Sequence, residues 1–267
     1  MPIRRRFLRA RLLAALAFAL LLAVGAGPGK ARAEDTVRIA VGVDPVFTPW
    51  WIAQDQGFFK KYGIKADIRQ FSGGPDLADA TMAGEADIGS SGTATWMPRL
   101  VHGGLLVIGT MATSHDNYKM AALTEIKSLA DLKGRKVGSV GGSTTDYLWV
   151  LLARKLKVPE SSFNVIPMPP PELVPSLDRH DIAAFFVWEP WASRAVEVSG
   201  PDKVHILATS GDVGYMLNFV VVANKQFATS HPDVTVRVLA ALRDAIDFQT
   251  AIRTGRRRLA PRRTSCR

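Results

Sequence analysis

Hydrophobic positions between residues 37 and 250 switch repeatedly between two periods. Residues 37–43 form a short β-branched run, and residues 64–71 alternate apolar and polar with a period of two, so both predict strands. Between them Pro49 opens a segment where Trp50, Ile52, Phe58 and Phe59 recur at helical spacing until Gly63 ends it. The rhythm continues with a helix over 76–83, a strand over 86–88, a helix over 93–101 and a strand over 105–111. A polar break at 113–117 interrupts it. It restarts with a short helix at 128–132, a strand at 135–140, a helix at 143–156 and a strand at 163–168. Three prolines at 169–171 precede a helix to residue 177, a buried strand at 182–187 and a helix at 191–198. A strand at 219–223 leads back to the first unit, and Val234, Val238, Leu239, Leu242, Ala245, Ile246 and Phe248 mark a last amphipathic helix that fades at Gln249. This alternation predicts an α/β fold of mostly parallel sheets with helices on both faces. The break and the return divide it into two lobes, residues 34–112 with 218–252, and residues 113–217.

The chain ends read differently from the body. Arg4, Arg5, Arg6, Arg9 and Arg11 precede an apolar run from 12 to 24, and Ala31-Arg32-Ala33 follows a Gly/Pro stretch. A basic start, a short apolar centre and an A-x-A site make residues 1–33 a secretory signal, with Glu34 first in the mature chain. Arg4-Arg5-Arg6-Phe7-Leu8-Arg9 is similar to a twin-arginine signal, so export by the Sec or the twin-arginine route delivers the protein to the periplasm. Residues 253–267 are arginine-rich and acid-free and lack an apolar period. They read as an aberrant basic tail outside the fold, either a solvated basic arm or, the reading preferred here, the product of a shifted reading frame.

Charge follows this division. The formal net charge is +10, yet residues 1–33 and 253–267 each hold seven Lys/Arg and no acid. The body keeps 20 basic residues against all 24 Asp/Glu, a net charge of −4. Nucleic acid is therefore excluded as a partner, because the positive charge is not spread over the fold. The one cysteine, Cys266, lies in the tail and permits no disulfide within the chain.

No catalytic constellation is legible. His102, His115, His180, His205 and His231 lack metal-ligand spacing, no paired cysteines accompany them, and no nucleophile elbow or phosphate-binding glycine loop occurs. The expectation is a non-enzyme without metal or cofactor. What recurs is a small polar cluster where a strand ends and a helix starts: Gly89-Ser90-Ser91-Gly92-Thr93-Ala94-Thr95 and Gly141-Gly142-Ser143-Thr144-Thr145-Asp146. Such junctions offer backbone N–H groups and hydroxyls beside the positive end of a helix, which suits an anion. They also sit at the carboxyl ends of strands, where open α/β sheets bind ligands. The bland alternative is that Ser and Thr merely cap helices. Aromatic residues stand at similar places, Trp50-Trp51 after the first strand and Trp188-Glu189-Pro190-Trp191 after the strand at 182–187. Each could equally be packing.

Five stretches together carry a resemblance. They are Pro49-Trp50-Trp51-Ile52-Ala53, Gly57-Phe58-Phe59-Lys60-Lys61-Tyr62-Gly63, Ala83-Gly84-Glu85-Ala86-Asp87-Ile88-Gly89, the run from Ser128 to Val137, and Phe186-Val187-Trp188-Glu189-Pro190-Trp191. In this order the chain resembles the periplasmic solute-binding proteins of the nitrate, sulfonate and taurine class of ABC importers, a fold shared with thiamine-pyrimidine precursor binders. The resemblance implies a two-lobed, hinged type II clamp without catalytic residues. Its implied partners are a small anionic or zwitterionic ligand and the membrane permease and ATPase subunits of the importer. Carried over by position, it implies Trp50 as a wall, Ser91, Thr93 and Thr95 as donors from the first lobe, and Ser143, Thr144 and Thr145 as donors from the second. Trp188 and Glu189 would close the other side, with Tyr215 and Asn218 as additions. Two departures stand out: the basic tail replaces helices that such proteins carry there, and Arg179-His180-Asp181-Ile182 replaces a glycine-led turn. The alternatives are a pyrimidine-precursor binding protein or synthase-like homologue, or a truncated, non-functional product.

Overall fold

The computed structural model describes residues 34–255. The expected export signal and residues 256–267 of the expected tail lie outside these. Along the described chain the strands are β1 (Asp35–Val41), β2 (Ile64–Gln70), β3 (Ile88–Gly92), β4 (Leu105–Ser114), β5 (Tyr118–Leu123), β6 (Lys136–Ser139), β7 (Asn164–Pro167), β8 (Ala184–Trp188), β9 (Val204–Thr209) and β10 (Leu217–Asn224). The helices are α1 (Thr48–Asp55), α2 (Phe58–Lys61), α3 (Gly74–Met82), α4 (Thr93–Leu100), α5 (Thr144–Leu156), α6 (Pro170–Asp178), α7 (Trp191–Ser199), α8 (Lys225–Ser230) and α9 (Pro232–Arg253).

Two five-stranded sheets result, in the orders β2-β1-β3-β10-β4 and β7-β6-β8-β5-β9. In each, the strand in fourth place runs against its neighbours while the other four point one way. The sheets are therefore mixed, with a parallel majority. Burial explains the residue choice. The central strand β8, Ala-Phe-Phe-Val-Trp, is buried at every position, as a strand covered on both faces must be. The edge strand β2 keeps Lys65, Asp67 and Arg69 on its wetter side.

The two strands in fourth place are also the first strands after the chain changes sheet. It crosses between Ser114 and Tyr118 and returns between Thr209 and Leu217. The crossings are bonded to one another, since Ser210 Oγ and Gly211 N donate to the His115 carbonyl and Ser210 N donates to Tyr118 O. Ser114 Oγ accepts from the N–H groups of Asp116 and Asn117 and fixes the first crossing.

The differences from the sequence reading are local. Strand β5, which begins directly after the expected polar break, and strand β9 were not expected. Strand β3 runs on through Gly92, so Gly89 to Gly92 is ladder, not loop, with Ser91 opposite Val220. The last helix continues past Gln249 to Arg253 and packs on α1 and α2. There Arg237 donates to the carbonyls of Tyr62 and Gly63, and Asp244 accepts from Lys61 and Tyr62. No helix among the described residues is long and apolar enough to cross a membrane.

Candidate ligand-binding cleft

The carboxyl ends of β1, β2, β3 and β8 meet at one cavity. Residues that follow β1 (Gly42, Val43, Asp44, Phe47) and β2 (Ser72, Gly73, Gly74) line it, as do Ser91 on β3 and Thr95 on α4. From the second sheet come Trp188, the last residue of β8, with Asn117 and Tyr118. Antiparallel β5 explains the last pair: its first residue, Tyr118, stands opposite Trp188. Antiparallel β10 likewise brings Phe219 opposite Gly92 and into the lining. The space between the sheets measures about 410 Å3 including its open mouth. This is the crevice outside strand ends at which open α/β sheets hold ligands.

Two residues with little exposed surface turn their hydroxyls to this space, and neither hydroxyl has a protein partner among the described residues. Ser91 is 6% exposed and Thr95 is 1% exposed. Both hydroxyls open on the cavity, so each is available to hydrogen-bond a ligand or water there. The starts of α3 and α4 have glycine N-caps, Gly73 and Gly92, with no side-chain cap, which leaves first-turn N–H groups available as well.

The sheets approach closely at Gly92. A Cβ there would lie 2.7 Å from Thr144 Oγ1 and 3.2 Å from Tyr118 Oη, both from the opposite lobe. The backbone of Gly92, at φ −61°, is open to any residue. Glycine is needed for the approach, not for the conformation. Thr144 is 0% exposed, and its hydroxyl has no hydrogen-bond partner among the described residues. Burial raises the pKa of Tyr118 and of Tyr215, while the neighbouring Thr144 hydroxyl pulls the other way without reaching bonding geometry with either phenol.

Asp44 is the electrostatic centre of the cavity. Burial pushes its carboxyl up to about 7, against the pull of the Val46 N–H that Oδ1 accepts at 3.1 Å. The rings of Phe47 and Phe219 meet edge to face at 5.1 Å, and those of Tyr118 and Trp188 at 6.1 Å, so the cavity has aromatic walls.

The expected site residues divide into three groups. Ser91, Thr95 and Trp188 line the cavity. Thr93, Ser143, Tyr215 and Asn218 line a separate groove of about 1130 Å3 that shares no residue with it. There Thr93 Oγ1 donates to Asn218 O, and the Tyr215 ring stands at 6.0 Å from that of Tyr147. The remainder serve the fold. Trp50 is corrected from cleft wall to core residue, because it is 0% exposed, stacks on Phe59 and donates its indole N–H to Ser90 Oγ. Thr145, and Ser143 although it lines the groove, are consumed by their own turn, as the Val140 carbonyl accepts from both and Ser143 Oγ accepts from Thr145 N. Glu189 lies outside the cavity lining and is bonded within its own helix start: it accepts from Ser193 N and Oγ and pairs with Lys119 at 2.6 Å. Burial alone would raise the pKa of Glu189, but these bonds outweigh it and hold the group low.

The sequence reading missed Asp44, Phe47, the 72–74 loop, Asn117, Tyr118 and Phe219. One signal was present: Asp44 follows a strand end, as the serine loops do, but an acid before Pro45 reads as a turn residue. Among the described residues no group of three or more His, Cys, Asp or Glu could hold a metal ion.

Residues 31–262 match the NMT1-like family. A protein of Brucella abortus (strain 2308) described as a binding protein is 30% identical over 204 residues, which cover 75% of this chain and 62% of that protein. The chain thus spans about three fifths of the length of that relative. The taurine-binding periplasmic protein of Escherichia coli (strain K12) is 27% identical over 246 residues, 90% of this chain and 71% of that one. Among solved structures, the alkanesulfonate-binding protein SsuA from Xanthomonas axonopodis pv. citri superposes with a TM-score of 0.72 at 19% identity, covering 84% of this chain and 78% of that one. That likeness establishes the fold, the two-sheet periplasmic binding protein architecture.

Proposed function

The chain belongs to the NMT1-like family, and on that premise we propose that it is the extracytoplasmic solute-binding component of an ABC importer. It captures a small sulfonate-, taurine- or nitrate-like solute between its lobes, residues 34–112 with 218–252 and residues 113–217, and delivers it to the membrane permease and its ATPase. It works in the periplasm, reached by the Sec or twin-arginine route, and it is not an enzyme. The observation that carries this reading is the pair of hydroxyls without protein partners among the described residues, Ser91 on β3 and Thr95 on α4, in a cavity lined from both sheets. Oxygen-rich anions accept from such donors, and closing the lobes removes the competing water.

The relatives lend support in the same direction. One is a taurine-binding periplasmic protein, and a structural neighbour is alkanesulfonate-binding. The test is a thermal-shift and calorimetric screen of the purified chain against taurine, ethanesulfonate, nitrate and bicarbonate, with small-angle scattering for the change in compactness. The expected result is one ligand class that raises the melting temperature and compacts the protein. Absence of any shift across the panel would overturn the reading.

A further inference from the structure

Among the described residues that line the cleft Asp44 is the sole charged side chain, and none of them is a lysine or arginine. One of its oxygens accepts from Val46 N, and no cation is paired with it among the described residues. A bare anion would therefore meet a carboxylate with no counter-charge, in a partly dehydrated space where repulsion is stronger than in water. The surroundings favour the opposite sign. Phe47, Tyr118, Trp188 and Phe219 bring four aromatic rings to the same cavity, and ring faces attract cations as carboxylates do. The neutral donors lie on other residues, Ser91, Thr95 and the 72–74 loop at the start of α3.

We propose that the cleft takes a small zwitterion, its ammonium group held by Asp44 among Phe47, Tyr118, Trp188 and Phe219, and its sulfonate or carboxylate by Ser91, Thr95 and residues 72–74. This rests on the solute-binding reading above and narrows its ligand class. Nitrate and simple sulfonates lack the group that the acid and the rings require. The high pKa of Asp44 fits, because a carboxyl left half-protonated near neutral pH gains most from the arrival of a cation.

Isothermal titration of the full chain with 2-aminoethanesulfonate, ethanesulfonate, trimethylglycine and ethylammonium separates the two ends of the site. The expected result is that 2-aminoethanesulfonate binds on the order of tenfold or more tightly than ethanesulfonate, the ratio one charge-assisted contact gives. Asp44→Asn keeps an oxygen for Val46 N, so its melting temperature reports whether the turn survives, and it should abolish most of that ratio. Ethanesulfonate binding as tightly as its amino counterpart, or an unchanged ratio in Asp44→Asn, would overturn the proposal. So would a complete lack of binding by all three ammonium compounds. Binding of ethanesulfonate alone sinks the zwitterion and leaves the importer reading intact. Binding of ethylammonium that Asp44→Asn removes, with no sulfonate bound, sustains the cation corner and removes the sulfonate.

Discussion

The two strand-end clusters, residues 89–95 and 141–146, look alike in sequence and are used in opposite ways. Both set glycine beside serine and threonine between a strand and a helix. In the first, β3 runs straight into α4 and there is no turn to be satisfied. Ser90 meets Trp50, while Ser91 and Thr95 are left facing the cavity. In the second, the chain reverses through Gly142 at φ +71° before α5 begins. That turn takes up nearly every hydroxyl it contains: Ser143 and Thr145 close on Val140, and Asp146 accepts from Gly142 N and Ser139 Oγ. A hydroxyl after a strand is available to a ligand only when the local backbone does not need it.

The largest expected effect sets the glycines of the two clusters against each other. Gly92→Ala puts a methyl group against Thr144 and Tyr118, across the line where the lobes meet. Overpacking of this kind costs about 1–3 kcal/mol, and much of it falls on the closed state, so affinity should drop about five- to a hundredfold. Gly142→Ala instead places a side chain at positive φ, at about 1–2 kcal/mol of stability, with affinity far less affected. Calorimetry and melting curves on the pair check this. Equal losses of affinity in the two variants would break the comparison.

The hydroxyls themselves make the next test. Ser91→Ala and Thr95→Val should each weaken ligand binding about tenfold, with the melting temperature held, because each removes a cavity-facing hydroxyl that has no protein partner among the described residues. Ser143→Ala should do the reverse. It deletes the N-cap of α5 and should cost about 1 kcal/mol of stability, a few degrees in melting temperature, with affinity near that of the parent. A Ser143→Ala protein that melts normally but fails to bind would return this residue to the site.

Asp44 extends the comparison to the end of β1. Its folded pKa of about 7 exceeds its ordinary value of 3.8, so the folded state holds that proton more tightly than the unfolded chain. Its contribution to stability is complete below about pH 4, is lost as pH rises towards 7, and changes no further above that. The carboxylates held low by their partners, Glu189 among them, act in the opposite sense and at more acid pH. Melting curves of ligand-free protein from pH 4 to 8 should therefore decline less steeply in Asp44→Asn than in the parent. Parallel curves would mean the carboxyl is solvated in solution.

The alternation of strand and helix was legible because β-branched and aromatic runs separate cleanly from amphipathic ones. Strand β5 was not. Tyr-Lys-Met-Ala-Ala-Leu is buried almost throughout, so it shows no alternation, and its alanines carry no strand preference. Tyr118, one of the four rings of the aromatic wall, was lost with that strand. The hydroxyls were visible as types but not as roles, since a ligand donor and a helix cap use the same residues. Only the closing of each hydrogen bond distinguishes Ser91 from Ser143.

Trp50 should have the smallest effect on binding, and for an instructive reason. It lies in the motif that carries much of the resemblance, yet its ring is fully enclosed beside Phe59 and its N–H ends on Ser90. Its neighbour in the ladder, Ser91, faces the cavity, because successive side chains of a strand point to opposite faces. Trp50→Phe would remove the indole donor, leave Ser90 Oγ without its partner and open a small void. The expected stability loss is about 1–3 kcal/mol. Ligand affinity, measured by calorimetry well below the lowered melting temperature, should stay within about twofold of the parent. If binding instead falls tenfold while the fold holds, the tryptophan reaches the ligand in solution. Its packing against Phe59 must then rearrange when the lobes move.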